Sequence, residues 1–435
     1  MQAEIALPRQ LCFAPSAQCT NMKTHLLASH WSRALALPVA LGLAAFATRQ
    51  APAQSTGGEL RAIEPSEATG SAQAVVVGRA ALAHTSLLQP VDERGKLVGY
   101  EHPTIQTERL MDNLETVLAE AQTSLDRVVK LNVYVKDADV VRDVQRVFSR
   151  KFAGGHKPAV TYVESELSLP GSYIALDAVA ATSFGLGQSR VERFSSHKLQ
   201  GHANGSHVAI MPDGVRIHVS GQAERGPLRE ATAATMQSLF KTLEFLSLTP
   251  ADVVQVKAFF KPMSSAREVE AEIVRAFTGL RAPPVTFTEW TMNDPVEIEL
   301  VAYGGNQGDR AREAIEYLTP PGVVASPVYS RVARINFGKT IFTSGLHGGA
   351  GGADIQIQDA FQSLEQLLIL TGSDLKHLAK ATYYVTDAQT STRLNELRPR
   401  FYDAKRPPAA SKATVRGVAQ SGRSLVMDFI AVTKP

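Results

Sequence analysis

The side chains that could do chemistry in this 435-residue chain are few, and several reaction classes drop out at once. The two cysteines, Cys12 and Cys19, lie near the N-terminus. The remainder therefore holds no disulfide scaffold, thiolate nucleophile or cysteine-based metal site. Eleven histidines show no HExxH or paired-ligand spacing, so no metal is expected. No serine stands in a nucleophile elbow. The run Gly348-Gly349-Ala350-Gly351-Gly352 lacks the Lys-Ser/Thr of a phosphate-binding loop and reads as a flexible loop. A net charge of +3, without long basic runs, gives nucleic acid or a membrane surface little to hold. What remains is a set of polar residues: Glu297, Lys412, Tyr329, Asn395, Ser220-Gly221 and Ser344-Gly345. The two glycines mark close backbone approach. Each polar residue also has a plainer reading. Glu297 and Lys412 suit solvated charges, the serines suit turns or packing, and Tyr329 and Asn395 suit ordinary surface.

The elements that must position these residues recur. Residues 105–135 read as an amphipathic helix, a break at Ser124-Leu125-Asp126 and a strand. Residues 229–260 and 355–385 repeat the arrangement. Leu114, Leu239 and Leu364 follow one another at 125-residue steps, as do Pro158, Pro283 and Pro408. That period is too long for a solenoid and suits a small domain present three times. Each unit reads as two apolar strands, a helix, a strand, a second helix, a Pro-marked loop and two closing strands. The order is ββαβαββ, an α+β layer with helices on one face of a sheet. Pro212-Asp213-Gly214 predicts a hairpin turn between the opening strands of the second unit. The units are placed at 72–184, 197–303 and 328–435. A hydrophobic content of 44% with 20% charged residues suits globular domains with real cores.

The excess at the N-terminus reads as an export signal. Lys23 and Arg33 supply positive charge, residues 34–47 are an apolar run, and Ala51-Pro52-Ala53 is a small-x-small site. The expectation is an exported protein, periplasmic or secreted, cleaved near Ala53. The apolar run is short for a membrane span. Residues 1–53 are thus assigned to the signal and its upstream segment, and residues 54–71 to a flexible lead-in.

In order and content the three units resemble the RidA family, the reactive-intermediate deaminases. The matching pieces are Ser220-Gly221-Gln222, Tyr329-Ser330, Ser344-Gly345, the loops Pro158-Ala159, Pro283-Pro284 and Pro408-Ala409, and the closing strand Val296-Glu297-Ile298-Glu299. The resemblance implies a chorismate-mutase-like subunit that normally forms a homotrimer with ligand clefts between subunits. Three tandem units would then build a single-chain pseudo-trimer. It also implies hydrolysis of 2-enamine or 2-imine acids to 2-oxo acids and ammonia, without a cofactor.

That chemistry needs a cation for the substrate carboxylate and a group to orient water. The family places an Arg directly after its Pro-Ala; here those positions are Val160, Val285 and Ala410. A bidentate guanidinium contact is worth about 1.5–3 kcal/mol, and all three units lack it. The family's water-orienting Glu is matched by Glu297 alone, with Ala175 and Val426 elsewhere. Its cleft Asn matches Asn395 and its cleft Tyr matches Tyr329. The serine of the Ser-Gly pair is read as His84 in the first unit. Lys412 lies two residues beyond Ala410, so an extended strand turns it to the side Ala410 faces. The resulting expectation is a protein that binds a small carboxylate metabolite in degenerate clefts, with imine-acid deamination as the alternative.

Overall fold

Between Leu60 and Val432 the chain runs three times through one order of elements. The computed structural model describes residues 58–201, 203–306 and 312–435. The expected export signal lies outside these residues. The first segment contains β1 (Leu60–Ser66), β2 (Ser71–Val77), β3 (Ala81–Thr85), α1 (Pro103–Glu120), β4 (Val128–Val135), α2 (Val140–Lys151), β5 (Ala159–Glu164) and β6 (Ile174–Thr182). The second contains β7 (Glu192–Phe194), β8 (Val208–Met211), β9 (Arg216–Gln222), α3 (Leu228–Phe245), β10 (Val253–Phe260), α4 (Ala266–Ala276), β11 (Val285–Glu289) and β12 (Val296–Tyr303). The third contains β13 (Ile315–Leu318), β14 (Val332–Ile335), β15 (Thr340–Thr343), α5 (Ala353–Thr371), β16 (Leu378–Val385), α6 (Ala388–Leu397), β17 (Ala409–Thr414) and β18 (Leu425–Val432).

Two features depart from the sequence expectations. Each segment opens with an extra strand, β1, β7 or β13, paired antiparallel with the strand that follows it. Much of the lead-in read as flexible is therefore strand, because Ile63 is buried against the sheet. The second departure concerns the opening strands proper. No hairpin pairing joins β2 to β3, β8 to β9 or β14 to β15 among the described residues. Instead β2 pairs with β15, β3 with β8, and β9 with β14. The turn at Pro212-Asp213-Gly214 thus hands the chain from one inter-segment pairing to another. Edge strands with unpaired backbone groups are satisfied by a neighbouring segment.

Within each segment the strand between the two helices pairs parallel with the Pro-loop strand and antiparallel with the closing strand. The helix pair covers the outer face. In α1 the residues Leu110, Leu114, Val117 and Leu118 recur at helical spacing and are all buried. Equivalent helix–sheet cores form in the second and third segments. The inner sheet faces meet one another, so one apolar cluster joins Val77, Leu82, Val254 and Phe342 from all three segments. This leaves β6 and β16 buried along their whole length, on both faces. No helix among the described residues is long and apolar enough to cross a membrane.

Candidate ligand-binding clefts

Strand register fixes which residues correspond. His84 pairs with Val179, His218 with Val301, and Phe342 with Ile430, so these three share one position. Two residues on stand Ser86, Ser220 and Ser344. Their backbone N–H groups donate to His207 O at 2.9 Å, Arg331 O at 2.9 Å and Gln73 O at 2.8 Å. The first segment therefore keeps the serine, as Ser86; assigning that place to His84 is off by one full period of the strand. What the first segment changes is the next residue, where Leu87 replaces glycine.

Each of these corners meets the Pro-loop strand of another segment. Ser344 Oγ accepts from Val160 N at 2.7 Å and donates to Ala72 O at 2.6 Å. Ser220 Oγ accepts from Ala410 N at 2.7 Å and donates to Ser330 O at 2.6 Å. Leu87 N donates to Val285 O at 3.0 Å. The serine hydroxyls are spent as stitches between segments. The positions where the family resemblance expects arginine thus face three different junctions: Val160 first against third, Ala410 third against second, and Val285 second against first.

The junctions differ sharply in content. Between the third and second segments, the carboxylate of Glu297 lies over Gly221, where a Cβ would collide with it. Gly221 N donates to Ser411 Oγ at 3.2 Å, and Ser411 donates to Glu299. Burial, and after it the charge of Glu299, pushes the Glu297 carboxyl up to about 7. Lys412 comes from the opposite wall, and its ammonium reaches Ser391 O at 3.4 Å. Burial and the nearby Arg398 guanidinium bring Lys412 down to about 8, against the pull of Glu297. The two side chains therefore feel each other's charge across the junction.

Arg398 follows α6 and is only 3% exposed, yet its Nε and Nη1 have no hydrogen-bond partner. Its guanidinium lies 4.8 Å from the centre of the Tyr383 ring. Asn395 is exposed on α6, one turn beyond Ser391. Tyr329 packs half-buried on the core of the third segment, next to the Ser330 carbonyl that holds Ser220.

The other two junctions are apolar at the matching places. Ser344 and Gly345 sit at the first–third junction, where a Cβ on Gly345 would stand 2.8 Å from Val426 Cγ2. Tyr162 occupies the place of Lys412 there, with its hydroxyl buried and unpartnered. At the second–first junction stand Val285, Phe287, Leu87 and Ala175. Val285 and Glu297, close in sequence, thus serve different junctions. Of the sequence-derived candidates, Glu297, Lys412, Ser220, Gly221 and Tyr329 gather around one junction, Ser344 and Gly345 stand at another, and Asn395 is exposed on α6. No group of three or more metal-capable side chains occurs among the described residues.

Sequence reasoning missed Arg398, whose significance lies in its missing partners rather than in a motif. It also missed the central polar residues Lys130, Lys257 and Lys380. Their signal was present: VVKLNVYV, VVQVKAFF and LAKATYYV each place polar residues on alternate positions of an otherwise apolar strand.

Comparison with known proteins gives the same affiliation. The family model described as Endoribonuclease L-PSP matches residues 64–182 and 323–433. A RutC family protein of Pyrococcus abyssi is 36% identical over 92 residues, covering 21% of this chain and 71% of that protein. Protein DfrA of Myxococcus xanthus is 27% identical over 131 residues, covering 28% of this chain and 97% of DfrA. A solved structure of a Rid-family protein of unknown function from Yersinia pestis aligns at 24% identity and a TM-score of 0.27, covering 28% of this chain and 98% of that one. With the model spanning more than half of its length, this chain belongs to the Endoribonuclease L-PSP, or RidA, family.

Proposed function

We propose that this chain is three family subunits fused into one ring, and that it binds a small carboxylate metabolite in the cleft between its third and second segments. Two facts support the fusion. The element order recurs three times, and nearly all of DfrA aligns with only 28% of this chain. The observation that carries the binding reading is that Lys412 feels both Glu297 and Arg398, whose Nε and Nη1 lack hydrogen-bond partners. A buried guanidinium with free N–H groups favours an anion, since an unpaired buried charge is costly. Lys412 and Arg398 hold the ligand carboxylate, and Glu297 faces it from the Gly221 side. The remaining junctions are lined by apolar side chains at these places and leave a carboxylate unsatisfied.

A second reading, slow hydrolysis of 2-imino acids, is favoured by the near-neutral Glu297. A carboxyl titrating near 7 can orient water and take its proton at physiological pH.

Calorimetric titration with pyruvate, the 2-oxo acid a serine-derived imine would yield, tests the proposal. Lys412→Met and Arg398→Met should each weaken binding about 10- to 100-fold, the loss of one charge-assisted contact. Ala410→Arg should strengthen binding, whereas Val285→Arg, at another junction, should leave it unchanged. Equal affinity in wild type and both methionine variants would refute the site.

A further inference from the structure

Where β4, β10 and β16 turn their inner faces toward each other, the strands enclose a cavity of about 80 Å³. It is separate from the clefts, and its walls are polar. Lys130 spans a boundary to Asp428 at 2.7 Å and also donates to Thr161 Oγ1 and Thr343 O, both at 2.7 Å. Lys380 spans the next boundary to Glu299 at 2.7 Å. At the third boundary the matching residue is Gln255, which donates to Thr85 O at 2.7 Å. Asp177 is thereby left to neutral donors, Asn132 at 2.9 Å and Tyr134 at 3.0 Å.

The displaced charge stands two residues along, on Lys257. Its ammonium donates to Tyr384 Oη at 2.7 Å and forms no ion pair among the described residues. The rings of Tyr134, Phe259 and Tyr384 lie 5.5, 5.3 and 5.4 Å from it. The rings attract the cation, and Asp177 and Glu299 act on it at longer range. His84 and His218, each 4% exposed, also face the cavity. Gln255 stands beside the His84 ring, and no well-aligned hydrogen bond reaches Nδ1 of His218.

Lys257 Nζ keeps N–H donors to spare, and each neutral imidazole can turn one N–H toward the cavity, so a ligand rich in acceptors finds several donors there. One water needs roughly 10–15 Å³ measured this way, so the space admits several waters or one ion of a few atoms. We propose that this central cavity binds a small monovalent oxyanion of three or four non-hydrogen atoms, with Lys257 as its counter-charge and His84 and His218 as neutral donors. The replacement of lysine by Gln255 is what frees the charge, so the site exists only because the three segments differ.

Nitrate tests this in the whole chain, read by thermal unfolding and calorimetry, with bromide as an anomalous scatterer in crystals. Nitrate should still raise the unfolding temperature of the double variant Lys412→Met/Arg398→Met, which removes the cleft's anion anchors and leaves only the cavity to respond. Lys257→Met should abolish the response. Should that variant not fold, His218→Phe copies the residue of the third segment, Phe342, and should weaken nitrate binding at least about 10-fold. A bromide peak beside Lys257 Nζ is expected. An ordered water cluster without bromide, or a nitrate response unchanged in these cavity variants, overturns the proposal.

Discussion

Glu297 and Glu299 stand two residues apart on one strand and meet different fates. Glu299 is held by Lys380 and Ser411, whereas Glu297 lies over a glycine and is pushed up to about 7. That difference gives a pH dependence. As pH rises through about 7, Glu297 becomes an anion and repels a carboxylate ligand. As it rises further through about 8, Lys412 loses the charge that attracts it. Pyruvate affinity should therefore fall in two steps between pH 6 and 9, measured by calorimetry in buffers of equal ionic strength. Glu297→Gln should remove the lower step and keep the upper one. A flat profile in the wild type would contradict this assignment. At this scale residue type alone singled out Glu297 and Lys412, whose charges act on each other in the fold. The sequence was silent on Arg398, because an absent partner has no sequence signature. It misled on Val285, which shares a segment with Glu297 but not a junction.

At the scale of elements, the junction chemistry follows from what each strand end leaves open. Gly221 admits the Glu297 carboxylate and Gly345 admits Val426, while Leu87, in the corresponding place, has a side chain of its own. Bulk on one strand is matched by its absence on the other, as dense packing requires. Gly221→Ala should drive Glu297 from its place, since the backbone there carries no positive φ that would itself forbid alanine. Pyruvate affinity should change at least about 10-fold, with the lower pH step lost. Gly345→Ala is the control: it presses on Val426 and should lower the unfolding temperature without altering pyruvate affinity. If both variants behave alike, Glu297 is not positioned by Gly221. The helices and long strands were readable from periodicity, because their buried faces recur at 3.6 and 2 residues. The fate of the opening strands was not. A turn signal reports a reversal of the chain, and says nothing about whether the two strands pair with each other or with distant partners.

At the scale of the molecule, the proposed closure of the three segments into one ring bears on the oligomeric state. Each pair of segments is joined by strand pairing, β15 with β2, β3 with β8 and β9 with β14, and two of the boundaries also carry a buried lysine–carboxylate pair. Every opening strand thus finds its partner within the chain. A separate family subunit must recruit such partners from solution, whereas here the tether supplies them at high effective concentration. The segments are also unlike at the boundaries. Lys130 and Lys380 find carboxylates where Gln255 does not, so pairing segments out of their order would strand a buried charge at some junctions. The 125-residue period showed in the sequence that one order of elements recurs three times, but the way the segments lock together depends on pairings too distant in sequence to read. The whole chain should therefore sediment as a single 46.8 kDa species across the micromolar range. A stable assembly of three chains would mean that the opening strands pair between chains, and would overturn the closed ring. Lys130→Met sharpens the test. Leaving Asp428 buried without its lysine should cost about 3–5 kcal/mol of stability, seen as a lower denaturant midpoint, while the surviving species remains a single chain.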